Sequence, residues 1–308
     1  MKTEAGSIAK TTRPGSMAVL LATSTVVLLL AVPEVAQAQF LYTTNNGTIT
    51  ITDYTGSGDA LTIPSTIHGL PVTEIGVGVF AGVLHLNQVV ISDSVTNIGE
   101  EAFSGCMTLT SVTIGRGVTR IGDRAFYRCN SLASVTIPDS VTGIGDQAFA
   151  SCIRLSSVVI PYSVTSIGSS VFDSCISLTG VTIGRGVTTI GDRAFRGCGS
   201  LTAIAVDTLN PSYSSLDGVL FNHDHSTLIR YPGAKAGSYT VPESVNNIAN
   251  EAFSFCFRLT GVTIGRGVTS IGDRMFYQSD SLTGITVDEL NTTYSSLDGV
   301  LSTGAKGR

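Results

Sequence analysis

The chain has no tryptophan, and charged residues fill only 13% of its 308 positions. It contains no basic tract, and its formal net charge is −5. An acidic chain without clustered Lys or Arg lacks the electrostatic footprint of a nucleic-acid binder or of a protein that rides on an anionic membrane. Histidine is scarce as well, at four residues. His68 and His85 stand apart from any Cys or Ser that would complete a nucleophilic arrangement, so no catalytic residue and no cofactor is expected. After residue 38 no apolar run approaches the ~20 residues of a membrane helix, and no span is expected in the mature chain.

The first 38 residues read as a signal peptide. Lys2, Lys10 and Arg13 make a basic start, residues 17–32 are apolar, and Ala36-Gln37-Ala38 supplies small residues at the two positions that a signal peptidase inspects. Cleavage after Ala38 is expected. An uncleaved anchor is the alternative, but Thr23-Ser24-Thr25 interrupts the apolar run. Removing this segment takes Lys+Arg from 18 to 15 and Asp+Glu from 23 to 21, so the mature net charge is −6. A secreted or cell-surface location follows.

What the chain does have is repetition. Phe80, Phe103, Phe126, Phe149, Phe172 and Phe195 recur every 23 residues, and Phe253 and Phe276 resume the step after a 35-residue insertion. Ile-Gly lies five and four residues before each Phe in most copies, as Ile121-Gly122 does before Phe126, and Leu lies six after it, as Leu132 does. A unit this short buries its apolar side only against copies of itself, which makes the chain a solenoid. In Leu109-Thr110-Ser111-Val112-Thr113-Ile114 the alternation is that of a strand with Leu109, Val112 and Ile114 inward. A glycine or proline turn follows, then a second short extended piece such as Val118-Thr119-Arg120-Ile121. Asp123, Asp146, Asp192 and Asp273, three residues before the Phe, are expected to cap single helical turns. The fold class is therefore an α/β leucine-rich-repeat solenoid, predominantly β. One long parallel sheet is expected on one wall, with short extended segments and single helical turns on the opposite wall. About ten right-handed coils at one strand spacing each give a body roughly 43 Å long.

Residues 134–155, Ser-Val-Thr-Ile-Pro-Asp-Ser-Val-Thr-Gly-Ile-Gly-Asp-Gln-Ala-Phe-Ala-Ser-Cys-Ile-Arg-Leu, resemble the BspA-like leucine-rich-repeat family of bacterial surface antigens and adhesins. The resemblance extends from Leu61 to Val287. It implies an exported recognition or adhesion role and no particular ligand.

The insertion carries Asn210-Pro211-Ser212-Tyr213-Ser214-Ser215-Leu216-Asp217-Gly218-Val219-Leu220, which returns in part 81 residues later at Asn291 to Leu301. Two short strands around Asn222-His223-Asp224-His225-Ser226 predict a β-hairpin that projects while the stack stays continuous; the resembled family has a similar insert. The expected organisation is a signal peptide (1–38), an N-terminal capping coil (39–74), repeats (75–206), the hairpin insertion (207–240), further repeats (241–287) and an incomplete second insertion (288–308). The short second copy reads as a frayed last coil or as a truncated reading frame.

Several features invite a chemical reading that their register argues against. Cys106, Cys129, Cys152, Cys175, Cys198 and Cys256 each stand three residues after the repeat Phe, in a slot that holds Val83 and Ser279 in the outer coils. Side chains in one slot of stacked coils run parallel, which favours buried free thiols over disulfides or a shared metal. His223-Asp224-His225 is the one metal-like cluster, and polar residues in a tight turn explain it; no metal site is expected. The Gly-Arg-Gly triplets at 115–117, 184–186 and 265–267 are turn glycines. Asn46-Gly47-Thr48 and Asn291-Thr292-Thr293 match the short glycosylation sequon.

The outward side of the main strand row is small and almost uncharged. Ser111, Thr113, Ser134, Thr136, Thr182, Thr263 and Thr286 are the candidate ligand-binding residues. The same residues are also good ladder formers, which would place them there without any ligand. The expected function is that of a non-enzymatic, adhesin-like binding protein whose partner is a host or neighbouring-cell protein or glycan. The alternatives are a structural spacer of a longer envelope protein, or the accessory repeats of an enzyme whose catalytic part lies elsewhere.

Overall fold

The computed structural model describes residues 39–304, so the signal-peptide assignment falls outside the described residues. The chain winds as a β-solenoid whose coils present three walls to solvent. Ten strands make the first wall, from Ala60–Ile63 and Gln88–Ile91 through Ser111–Thr113 and Ser134–Thr136 to Leu259–Ile264 and Gly284–Val287. Two-residue strands such as Asn97–Ile98, Arg120–Ile121 and Gly143–Ile144 make the second wall. Pairing between coils is parallel and in register, apart from shifts at Ile49/Thr50 and Gly237/Ser238. Ser111 faces Ser134, Val112 faces Val135 and Thr113 faces Thr136, so each repeat position forms a ladder down the body. Inward rows of Val and Ile fill the interior, and the outward rows stay exposed.

The phenylalanines form the axis of the core. Phe80, Phe103, Phe126, Phe149 and Phe172 are fully buried. Their rings lie within 12° of parallel, at centroid spacings that widen from 4.8 Å to 5.7 Å along this run, in the offset stacking that the ring quadrupole favours. At the N-terminal end a hairpin, Phe40–Asn45 with Thr48–Tyr54, heads the second wall. Its Tyr54 ring lies 5.1 Å from Phe80 and so closes the stack.

The third wall, around each Phe, contains no helical turn, contrary to expectation. Glu101, Arg124, Gln147, Ser170 and Arg193, two residues before the Phe, are left-handed, with φ between 52° and 58°. So are Arg128, Ser151 and Ser174, two residues after it. Alternate N–H groups there leave the coil: Arg124 N donates to Asp146 O at 2.8 Å and Phe126 N to Ala148 O at 2.8 Å. A helical turn would consume those donors within one coil. Stacking offers each a carbonyl in the next coil, and that ladder offsets a left-handed backbone that costs about 1–2 kcal/mol per residue. The aspartates cap in the same sense, across coils: Asp123 Oδ1 accepts from Asp146 N at 2.9 Å, and Asp146 Oδ1 from Ser169 N at 2.7 Å.

Two further expectations need correction. The first wall is three sheets of four, three and three strands, interrupted after Ser134–Thr136 and again at the insertion. Nor does the insertion project. Strands Tyr213–Leu216 and Val219–Asn222 pair antiparallel, and Thr227–Arg230 then joins the second wall beside Asn247–Ile248. Val219, Leu220, Phe221 and Leu228 are fully buried, Leu220 in the upstream core and the others in the downstream one. Asn210 bolts the insert down: Nδ2 donates to Gly184 O and Val187 O, and Oδ1 accepts from Ser212 N and Tyr213 N. Asn291 makes the same four bonds in the second copy and is itself buried, so its side-chain nitrogen is engaged inside the fold.

The six cysteines are free and buried. Each of the first five places its Sγ 3.1–3.2 Å from the carbonyl oxygen of the Phe one coil earlier, as Cys129 does with Phe103. That contact accounts for the occupants of the slot. Ser279 donates to Phe253 O at 2.5 Å in the same way, and Val83, in the first Phe coil, has no repeat Phe carbonyl beneath it. Burial pushes the thiols up, to about 12 for Cys106 and about 11 for Cys256, because a dry interior disfavours thiolate.

Two outcomes follow. Phe149→Ala is expected to cost about 3–5 kcal/mol in chemical denaturation, and equal melting of variant and parent would place Phe149 outside the core. Since the folded thiols hold their protons above the unfolded value of 9.0, their stabilisation is intact below about pH 9 and fades as pH rises toward 12. The unfolding midpoint should therefore fall across that window, and denatured, unreduced protein should yield six free thiols.

Candidate ligand-binding surfaces

Two surfaces compete for a ligand, and they lie on different walls. The first is the strand wall. Ser111, Thr113, Ser134 and Thr136 are exposed and paired in register within one sheet. Thr182 is exposed in the second sheet, opposite Val159, which is 62% exposed. Thr263 and Thr286 face each other in the third sheet, Thr263 half-buried and Thr286 exposed. The candidate residues thus share an orientation but fall into three groups, and the hairpin stands between the second and third. Gly218 O accepts from Ile204 N at 2.9 Å where the next parallel strand would otherwise pair.

The second surface was not legible as a site in the sequence. A groove follows the corner of the second and third walls, where the glycine of each Ile-Gly pair stands. A Cβ on Gly122 would come within 2.7 Å of Gly99 C in the coil beneath, so close stacking there demands glycine and leaves the surface without side chains. Over the coils that carry Asp123, Asp146 and Ser169 the groove encloses about 560 Å³. At the insertion it opens into a cleft of about 920 Å³ lined by residues 190–196, 229–230, 247–251 and 272–274.

The cleft exists because the inserted layer has an abbreviated third wall. Tyr231 takes the Phe slot of that layer: its N donates to Ala252 O, as Phe126 N does to Ala148 O, and its ring lies 5.2 Å from Phe253. Beside it Arg230, 5% exposed, fills the rest of the layer. Nη1 donates to Glu251 O and Ser254 Oγ, both at 2.8 Å, and Nη2 to Ser254 O at 2.9 Å. Glu251, 4% exposed, spans the seam: Oε1 lies 3.1 Å from Arg193 Nε, and Oε2 3.0 Å from Arg196 Nε. The second pair has ion-pair distance without hydrogen-bond alignment, and both atoms are otherwise without a partner, as is Arg230 Nε. Arg196 also lies 3.5 Å from Asp173 and faces the rings of Phe255 and Tyr277 at 5.3 Å and 5.9 Å. The irregular spacing from Phe195 through Tyr231 to Phe253 was the signal in the sequence, visible only once Tyr is allowed in the Phe slot.

The His223-Asp224-His225 turn commits its side chains separately. His223 Nδ1 meets Asn210 O at 3.0 Å, Asp224 Oδ1 accepts from Ser226 N and Oγ, and His225 packs against Phe221. Among the described residues no helix is long and apolar enough to cross a membrane.

Residues 73–203 and 231–297 match the BspA-type leucine-rich-repeat region in six copies. The chain belongs to that family. The match lapses across the hairpin and resumes at Tyr231, the residue that re-enters the Phe slot. A leucine-rich cell-surface protein from Faecalibacterium prausnitzii is 33% identical, with 82% of this chain and 76% of that one aligned and a TM-score of 0.64. A leucine-rich-repeat protein from Bacteroides ovatus, 23% identical over 81% and 70% of the two chains, has the same fold with a TM-score of 0.62. So does the pneumococcal vaccine antigen PcpA, 21% identical over 82% and 69%, with a TM-score of 0.63. None of the curated proteins compared with the chain matches it.

Arg230→Ala is expected to destabilise the fold by about 3 kcal/mol, since it strands the Glu251 and Ser254 carbonyls and the Ser254 hydroxyl in the interior. Urea denaturation checks this; a change below the error of the measurement would mean that water replaces the guanidinium without loss.

Proposed function

We propose that this BspA-type protein is exported, resides at the cell surface, and acts without catalysis by holding a macromolecule against its first wall. The partner is a protein or glycan of a host or neighbouring cell, which makes the role adhesin-like. The observation that carries this reading is the in-register exposure of Ser111, Thr113, Ser134 and Thr136, continued by Thr182. Each rung offers a hydroxyl and a methyl at a pitch of about 4.8 Å, an even surface for an extended polymer. The likeness to a leucine-rich cell-surface protein supports the location. A spacer role within a longer envelope protein is the second reading, favoured by the uniform register of successive coils.

Glycan and extracellular-matrix arrays probed with the purified chain test the proposal. The face carries no charge to be screened, so binding should vary little between low salt and ~0.5 M. Thr136→Arg with Thr182→Arg should weaken a captured ligand at least tenfold by bulk and desolvation while leaving the melting temperature unchanged. Full affinity in the double variant, or collapse at moderate salt, would move the ligand off this wall.

A further inference from the structure

Ordinary coils of this stack are joined on all three walls at once, and at the insertion all three joins stop. On the first wall Ala203–Val206 ends one sheet and Gly237–Thr240 begins the next. On the second wall the sheet that starts at Phe40–Asn45 ends at Thr189–Ile190, and Thr227–Arg230 belongs to a separate sheet with the hairpin. On the third wall Ser170, Phe172 and Ser174 pass their N–H groups forward to the carbonyls of Asp192, Ala194 and Arg196 at 2.8–2.9 Å. One coil later, Arg193 N, Phe195 N and Gly197 N have no acceptor among the described residues. The cause is local. Leu228 pairs with Ile248, and Tyr231 N bonds Ala252 O. From Leu228 the chain reaches the Phe slot in three steps, whereas from Ile248 it takes five, so the inserted layer is too short to meet the third-wall ladder.

The core is divided at the same place. Upstream, the buried apolar side chains form one cluster from Phe40 to Ile204, with Leu220 its one fully buried member from the insertion. Val219, Phe221, Leu228 and Tyr231 join a second cluster that ends at Val287. Little backbone spans the gap: Ile204 N donates to Gly218 O at 2.9 Å and Ala234 N to Leu201 O at 2.8 Å. Side chains supply the rest. Asn210 and the Tyr213 hydroxyl hold the hairpin to the coil beneath. The Phe257 ring covers Gly199, where a Cβ would come within 2.8 Å of it, and Glu251 ties Arg193 and Arg196. In a stacked-repeat protein stability is a sum of coil and interface terms, and cooperativity breaks where an interface is weak.

We infer that the seam is a built-in joint of the solenoid, at which the part from Asn210 onward opens and unfolds as one unit while the stack from Phe40 to Val206 stays folded. The downstream part goes first because its core is the smaller and ends in Phe276, Leu282 and Ile285, which are only partly buried. The upstream core runs unbroken past Phe80, Phe103, Phe126, Phe149, Phe172 and Phe195. The cysteines are placed to distinguish the two units. Cys106, Cys129, Cys152, Cys175 and Cys198 lie upstream, Cys256 lies downstream, and all six are buried. A buried thiol becomes reactive only when its own unit opens.

Urea titration of the full chain, with a pulse of iodoacetamide and peptide mass analysis at each concentration, tests the joint. Cys256 should be alkylated over a range in which the five upstream thiols stay protected, at a rate at least about tenfold above theirs. Circular dichroism should show two transitions over the same titration. Glu251→Gln removes the charge shared by Arg193 and Arg196 but keeps the backbone carbonyl that Arg230 uses. It should lower the midpoint of the first transition and leave the second in place. Phe149→Leu, a change within the upstream core, should lower the second alone. Alkylation of all six thiols together would overturn the assignment. So would a graded loss of protection from Cys256 through Cys198 to Cys175 with no plateau, which is the pattern of fraying from an end. Movement of both transitions by equal amounts in Glu251→Gln, or of neither, would do the same.

Discussion

Each coil of this protein is held mainly by hydrogen bonds that leave it. On the second wall N–H groups point back one coil, as Gly122 N does to Ile98 O, and on the third wall they point forward, as Phe103 N does to Ala125 O. A single coil can satisfy neither set, so the stack is the smallest unit in which the backbone is paired. The side chains obey the same constraint. Stacked rings, thiols over Phe carbonyls and aspartates over backbone N–H groups all take their partners from an adjacent coil. Because the repeats between Gln88 and Val206 pair without offset, an identity chosen once is repeated down that stretch, and the repeat of the sequence reflects that geometry.

The insertion is where this arrangement is broken and repaired. A hairpin replaces a first-wall strand, Thr227–Arg230 restores the second wall, and Tyr231 alone restores the Phe slot. The rest of the third wall is made good by the long side chains of Arg193, Arg196, Arg230 and Glu251. Ion pairs reach where backbone cannot, but they fit imperfectly, and the cleft is the consequence. The second hairpin shows what the first one covers: Val300 is 64% exposed, whereas its counterpart Val219 is fully buried beneath the downstream coil.

The strand wall and the seam are surfaces of different kinds on one scaffold. The strand wall repeats small, mostly uncharged rungs within each of its three sheets. The seam is singular in its buried charge and aromatic edges, whereas the left-handed backbone beside it recurs in every Phe coil.

Much of this was legible from the chain. The recurrence of Phe80 through Phe276, the alternation in residues 109–114 and the cysteine slot specify a stacked β-coil, its inward rows and its unbridged thiols, because each is a local pattern repeated at one period. The third wall was not legible. An Asp three residues before a Phe reads as a helix cap, and only the proximity of the next coil turns its carboxylate, and the alternate N–H groups beside it, outward into a ladder. The insertion likewise reads as a loop, since Arg230 and Glu251 are 21 residues apart and nothing local says that they share one interior. The sequence by itself determined the period, the core and the outward strand face. The tertiary structure decided where the period fails, because the fate of a buried guanidinium and carboxylate depends on which coils meet across the gap.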